Sequence, residues 1–352
     1  MPSSDTLPVA VVAGGSAGVG RATLDALIER GWRVAVLARG ADRLKEIEGR
    51  YGDLVWTRSV DVSDGAALET AAQDIVRDFG RPEVWVNSAM LTSFSPFEKV
   101  DEAEFRCITE TTYLGTVNGC RAALGVMRRG NIVNVGSGLA YASVPYQAAY
   151  CGAKHAVEGF TQALRIELAR AERPITLSMV QLPAVNTPQF DWARNRMDTH
   201  PQPAPPIYQP EVAASAILRA IDTDAREILV GGSVLKLMAG NMLVPDVMEA
   251  QLRKVGVDAQ KAKGMPRDGR DNLEGPAPHP ASAHGSFDDR ARADGIIVDG
   301  DFARKVALIG GAATLLLAGA FLGRAARLPK LGSGADDAPK VPYYARPSEY
   351  RS

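Results

Sequence analysis

Along the first two-thirds of the chain, short apolar runs rich in β-branched residues alternate with longer stretches in which apolar residues recur every three to four positions. The runs at 9–13, 33–38, 54–59, 83–87, 131–135, 176–182 and 227–230 read as strands, and the periodic stretches at 21–30, 64–79, 102–128, 149–171 and 210–222 as helices. Strands separated by helices imply parallel pairing, because a parallel neighbour is reached only through a connection long enough to cross back over the sheet. The pattern predicts an α/β fold, a doubly wound parallel sheet of seven strands within residues 1–240. Asn131-Ile132-Val133-Asn134-Val135 carries no charge, as a central strand covered on both faces requires.

The texture changes after Gly240. Residues 241–257 read as one additional helix, and 258–303, rich in Pro, Gly, Ala, Asp and Arg with no apolar period, as a polar, mostly disordered tether. Within 304–325, residues 306–323 run without a charge between Arg304-Lys305 and Arg324. At ~1.5 Å per residue the run is about 27 Å long, close to the ~30 Å hydrocarbon core of a bilayer. A buried helix is the competing reading, but a segment beyond a tether has no core to cover it on all sides. The expectation is a single transmembrane helix, followed by a short tail over 326–352. Gly319 and Gly323 form a GxxxG, a pattern that arises easily in a Gly/Ala-rich run.

Charge narrows the classes of partner. Forty basic against 41 acidic residues give a net charge of -1, so no global field favours nucleic acid. Cys107, Cys120 and Cys151 have no metal-like spacing and the four histidines are scattered, which predicts reduced thiols and no metal. The first residues lack a basic region and a long apolar core, so the catalytic domain is expected in the cytoplasm, tethered to a membrane by the C-terminal helix.

Candidate chemistry begins where the first strand runs into Gly14-Gly15-Ser16-Ala17-Gly18-Val19-Gly20 and the first helix follows. Glycines in this position permit a tight turn and let backbone N–H groups and a helix N-terminus approach a pyrophosphate. The spacing is GxxxGxG. Downstream come Asp61-Val62 after the third strand, Asn87-Ser88-Ala89 after the fourth, Ser137 after the fifth, Tyr150-Cys151-Gly152-Ala153-Lys154, and Pro183 with Thr187 after the sixth. Six motifs in this order resemble the short-chain dehydrogenase/reductase family from about Leu7 to Gly232.

The resemblance implies a Rossmann-type sheet and hydride transfer between a nicotinamide cofactor and a carbonyl or alcohol substrate. Tyr150 would give or take the proton, Ser137 would hydrogen-bond the substrate oxygen, and Lys154 would hold the ribose. The spacing is chemically sensible: Tyr150 and Lys154 are i and i+4 on one helix face, where an ammonium can lower a phenol's pKa from ~10. The implied cofactor cradle is Gly14, Ser16, Gly18, Val19, Gly20, Asp61, Val62, Asn87, Ala89, Tyr150, Lys154, Pro183 and Thr187. Ala38 stands where an NAD site carries an acid and Arg39 follows it, which favours NADP(H) over NAD(H). Arg43 assists if its helix turns it inward. His155 points away from Lys154 and reads as packing or surface, and Cys151 as packing.

The chain departs from the family pattern at Ala13, Ser88, Met90 and Ala184, and at Thr112, where the family often places an Asn that positions a water near the lysine. Thr112 retains a hydroxyl and is a candidate relay. Substrate contacts are expected from 91–97, 139–146 and the proline-rich 184–209, whose Phe190, Trp192, Met197 and Tyr208 either line an apolar pocket or pin a flap. The leading reading is therefore a membrane-tethered, NADP(H)-dependent oxidoreductase for an apolar alcohol or carbonyl compound. Its competitor is a non-catalytic NADP-binding sensor or scaffold at a membrane, which has no need of Ser137, Tyr150 and Lys154 together. The resemblance further implies a homo-oligomer built through the two long helices.

Overall fold

The computed structural model describes residues 7–263 and 271–306. The chain divides into two units, Met1–Ala303 and Arg304–Ser352, and the first contains all the elements named below. In chain order these are β1 (Val9–Ala13), α1 (Gly18–Glu29), β2 (Arg33–Ala38), α2 (Ala41–Tyr51), β3 (Val55–Ser59), α3 (Gly65–Asp78) and β4 (Pro82–Asn87). There follow β5 (Ser93–Phe94), α4 (Glu102–Thr109), α5 (Gly115–Val126), β6 (Gly130–Val135), α6 (Ala148–Arg170), β7 (Ile175–Gln181), α7 (Gln189–Trp192) and β8 (Arg194–Asn195). The last are β9 (Ile207–Tyr208), α8 (Pro210–Thr223), β10 (Glu227–Val230), α9 (Gly231–Leu243), α10 (Pro245–Val255), β11 (Ala291–Arg292) and β12 (Ile297–Asp299).

The main sheet has the order β12-β10-β7-β6-β4-β1-β2-β3. From β1 the chain winds outward through β2 and β3, then returns to the other side of β1 and winds through β4, β6, β7 and β10. A cleft opens at the strand ends where the winding reverses, which is where such sheets bind ligands. Both faces are covered. Val12, Leu24, Val36, Ile217 and Ile228 pack on one side, and Val11, Leu37, Leu68, Trp85 and Ile132 on the other. Every residue of β1 is buried, which explains an apolar run with no polar alternation. Asp64 and Asp101 cap α3 and α4 by accepting the amides of Ala67 and Glu104.

Four expectations are corrected. Among the described residues the sheet has eight strands, because β12 pairs antiparallel with β10 in the register Ile228↔Asp299, Leu229↔Val298 and Val230↔Ile297. That strand lies in the segment expected to be a disordered tether. From Asp271 onward the segment is instead a strap held by Leu273, Ala277 and Phe287, all buried, and by backbone bonds such as Gly231 N–H to Ile296 O and Gln209 N–H to Arg292 O. Few apolar anchors and many main-chain bonds give an ordered segment whose composition looks disordered. The boundary at 240 also cuts through α9, which starts at Gly231 and stops before Pro245, where α10 begins. The long helix expected over 102–128 is α4 and α5 joined by a π-helical turn, Glu110–Leu114.

Among the described residues no helix is long and apolar enough to cross a membrane. The span expected at 304–325 and the tail at 326–352 lie outside the described residues, except for Arg304–Val306.

Candidate active site

The glycine turn after β1 is shaped by contacts that exclude a side chain. Gly14 has φ +87°, and a Cβ there would sit 2.5 Å from the amide nitrogen of Ala89; one on Gly20 would sit 2.1 Å from the carbonyl of Gly14. The turn therefore brings α1 hard against β1 and leaves a cleft between α1, the ends of β2 and β3, and the loop after β4. The cleft is continuous with the space around Tyr150 and has a volume of about 1370 Å³.

Two guanidinium groups face its far end. Arg39, at the end of β2, lies 3.8 Å from Asp61 and donates to the carbonyls of Asn272 and Leu273 at 2.6 and 3.2 Å. Arg43, on α2, is buried, stacks on the Trp192 ring at 5.1 Å and donates from Nη1 to the carbonyl of Ala277. Its Nε has no hydrogen-bond partner among the described residues. Burial, and then the neighbouring Arg39, pull the Arg43 pKa below its ordinary value. Two like charges at one wall, one with a buried idle donor, fit an anion such as a phosphate. With the glycine turn, this makes the cleft suited to a phosphorylated dinucleotide.

At the other end stand Ser137, Tyr150 and Lys154. Ser137 follows β6; its amide donates to Gln181 Oε1 at 2.8 Å and its Oγ accepts from the Leu139 amide at 3.1 Å. With one lone pair so occupied, the hydroxyl proton is free to donate. Lys154 is buried and donates to the Val135 carbonyl at 2.7 Å, with Nζ 5.7 Å from the centre of the Tyr150 ring. Burial lowers its pKa to about 8. Burial pushes the Tyr150 phenol above its ordinary value, and the Ser137 side chain pulls it back. The i, i+4 spacing puts Lys154 on the same helix face as Tyr150, and the Val135 carbonyl holds its ammonium beside the ring.

Most of the expected cradle lines the cleft: Gly14, Ser16, Gly18 and Val19 at the turn, Arg39, Asp61, Val62 and Ala89 along the strand ends, Pro183 and Thr187 beyond β7. Three residues are placed differently. Gly20 acts through its close contact with the Gly14 carbonyl. Asn87 turns into the interior, where Oδ1 accepts from Trp85 Nε1 at 2.9 Å and Nδ2 donates to Asn134 at 2.8 Å. Thr112 is fully buried; its Oγ1 donates to the Leu91 carbonyl and accepts from the Leu91 amide, both at 3.0 Å, and Thr111 lines the cleft in its place. Thr112 is thus a backbone clamp, because a hydroxyl one bond shorter than an Asn amide is satisfied by the adjacent main chain.

Sequence reasoning missed Gln181, Gln147 and Asn272. Gln181 is fully buried and holds the Ser137 amide while its Nε2 donates to Glu158 at 2.6 Å. The signal was present: a lone amide inside the apolar run of β7 needs a partner. Gln147 lines the cleft next to Tyr150 and donates to Gln260 at 2.6 Å. Asn272 came from the segment expected to be disordered. The 184–209 flap does both things considered for it: Phe190, Trp192 and Tyr208 line the cavity, while Met197 packs with Phe94 and Ala193 to pin it. The substrate end is also walled by Leu237, Leu252 and Val255 of α9 and α10.

A doubly wound sheet with a glycine turn at β1 and a Ser-Tyr-Lys group at the switch point defines a class of dinucleotide-dependent oxidoreductases. The chain belongs to the short chain dehydrogenase family, whose sequence pattern it matches over residues 8–198. It is 28% identical over 264 residues to an uncharacterized oxidoreductase, YxnA, of Bacillus subtilis, covering 72% of this chain and 74% of that one. A short-chain dehydrogenase from Streptomyces avermitilis superimposes with a TM-score of 0.60 at 28% identity, over 71% of this chain and 96% of the other. An alcohol dehydrogenase from the archaeon Thermococcus sibiricus, complexed with 5-hydroxy-NADP, matches with a TM-score of 0.56 at 25% identity over 63% and 95% of the two chains.

Proposed function

We propose that this oxidoreductase uses NADP(H) and interconverts an apolar carbonyl compound and its alcohol, with Tyr150 as the general acid and base. The observation that carries the reading is one cleft with two unlike ends: Arg39 and the idle Nε of Arg43 at one, Ser137, Tyr150 and Lys154 at the other. Bound in the cleft, the nicotinamide supplies or accepts the hydride. The chain's own residues handle the proton and the oxygen. Ser137, its Oγ fixed by the Leu139 amide, donates to the substrate oxygen; Tyr150 protonates that oxygen in reduction and removes its proton in oxidation. Lys154 contributes a positive charge beside the ring and has N–H donors beyond the one used by Val135. Phe94, Val144, Phe190, Leu237 and Leu252 around the substrate end suit an apolar body attached to the reacting carbon. The T. sibiricus enzyme's NADP derivative is consistent with the same cofactor choice.

Consumption of NADPH is followed by absorbance with a panel of apolar aldehydes and ketones. Tyr150→Phe is expected to lower kcat on the order of 10²–10⁴-fold, the usual contribution of a positioned proton donor, with cofactor binding retained. Turnover undiminished by the substitution would sink the mechanism, and a clear preference for NADH would sink the cofactor assignment. On sequence alone we also propose that 306–323 anchors the chain to a membrane with the catalytic domain in the cytoplasm. Recovery of the whole chain in the soluble fraction of cells would overturn that.

A further inference from the structure

The strap that follows Asp271 crosses the open edge of the cleft. Its carbonyls meet, in order, the basic groups and helix starts at the dinucleotide end. Asn272 and Leu273 accept from Arg39, Ala277 accepts from Arg43, Ala281 accepts from Arg21 at 3.5 Å, and Ser282 accepts from the Gly18 amide at 2.9 Å. All of these partners are neutral carbonyls. Arg21 also pairs with Asp25 at 2.8 Å and Arg39 lies 3.8 Å from Asp61, so the strap carbonyls aim these two groups beside carboxylates, while for Arg43 the carbonyl of Ala277 is a neutral partner that leaves its charge for an anion.

A second observation concerns the side chain of Asn272. It is only 7% exposed and lines the cleft, and its Oδ1 has no hydrogen-bond partner among the described residues. Its Nδ2 donates to Gln189 Oε1 of the flap at 3.4 Å, and Gln189 Nε2 is likewise buried without a partner among the described residues. One idle acceptor and one idle donor thus sit side by side in a dry place, where polar atoms are nearly always paired. The edge of a purine base, with an amino donor beside a ring-nitrogen acceptor, complements them.

Strap and flap are also fastened to each other. Arg194 pairs with Asp271 at 2.8 Å and Glu274 at 3.2 Å, Asn186 donates to Asp288 at 2.8 Å, and the Phe190 and Phe287 rings meet edge to face at 6.4 Å. The two segments form one cover spanning the dinucleotide and substrate ends.

We propose that the strap 271–285 is a wall of the cofactor site and that Asn272, with Gln189, recognises the adenine edge of the bound dinucleotide. This rests on the reading of the cleft as an NADP(H) site. Hydrogen exchange of the full chain, with and without NADPH, tests it directly. Exchange is expected to slow both at 14–20 and across 271–285. Slowing at 14–20 alone, or faster exchange in the strap, would overturn the wall, the second outcome because it means the strap is expelled. No slowing at 14–20 and no binding would overturn the NADP(H) reading itself and the wall with it.

Equilibrium titration of protein fluorescence supplies the residue-level test. Asn272→Ala is expected to weaken NADPH and NADH alike, on the order of fivefold for one lost hydrogen bond, whereas Arg43→Gln weakens NADPH selectively. Unchanged affinity for both nucleotides in Asn272→Ala, with a thermal midpoint like that of the parent chain, would overturn the role of Asn272.

Discussion

The hydroxyl of Thr112 pairs with both the amide and the carbonyl of Leu91 at a fully buried position. Thr112→Val keeps the shape and strands both backbone groups, so it is expected to destabilise by roughly 2 kcal/mol, and Thr112→Ser to restore most of that. Denaturant midpoints check this; a valine variant as stable as the parent would show that the clamp contributes nothing. Lys154 poses the opposite balance. Its ordinary pKa is 10.5 and burial lowers it to about 8. The unfolded chain therefore holds a proton between these values that the folded chain has released, so Lys154 makes stability rise with pH across that window and lowers it fully below about 8. Lys154→Met is expected to raise the thermal midpoint at pH 7, remove that part of the alkaline slope and abolish turnover. In the parent, reduction is expected to fall as pH rises through about 8, where the ammonium beside Tyr150 loses its charge. A profile flat through that region would disconnect the charge from the chemistry.

At the level of elements, what the sequence made legible followed from periodicity and from motif position. The strands β1 to β4, β6, β7 and β10 lie within a residue or so of their expected places, because each is a short run rich in β-branched residues between helical stretches. Ser137, Tyr150 and Lys154 meet because the fold brings the end of β6 to the first turns of α6. The strap was illegible for a physical reason: it is fixed by main-chain bonds and charged side chains that carry no periodic signature. His284 illustrates this: its Nε2 and Nδ1 lie 2.7 Å from the carboxylates of Glu211 of α8 and Asp288 of the strap, and both donate when the imidazole is protonated. Burial lowers its pKa, but the hydrogen bonds to Glu211 and Asp288 outweigh burial and leave it raised above 6.5. A raised histidine stabilises fully below its ordinary pKa and loses that contribution as pH climbs through the higher folded value. Tryptic cleavage at Arg290 and Arg292, measured relative to a free peptide, is expected to accelerate as pH rises through that range. In His284→Gln the relative rate should be independent of pH; an unaltered pH dependence there would assign the effect elsewhere.

For the whole molecule, the decisive question is where the folded unit ends. Composition places a boundary near residue 240, whereas the contacts carry the first unit to Ala303. A chain ending at Val257 would lose β12 and leave the backbone edge of β10, whose residues are all buried, open to other molecules. It would also lose Leu273 and Phe287, each 3% exposed or less. Burying side chains of that size contributes roughly 1.5–3 kcal/mol apiece. Against a total stability of about 5–15 kcal/mol, that loss is large. The shortened chain is therefore expected to unfold at a markedly lower temperature, bind apolar dyes and self-associate. A chain ending at Ala303 keeps β12, the strap and both core layers, and its thermal midpoint and NADPH affinity are expected to match those of the full chain. Thermal unfolding and sedimentation of the two truncations side by side decide the matter. A chain ending at Val257 that is monomeric and as stable as one ending at Ala303 would return the boundary to residue 240 and reduce the strap to an appendage.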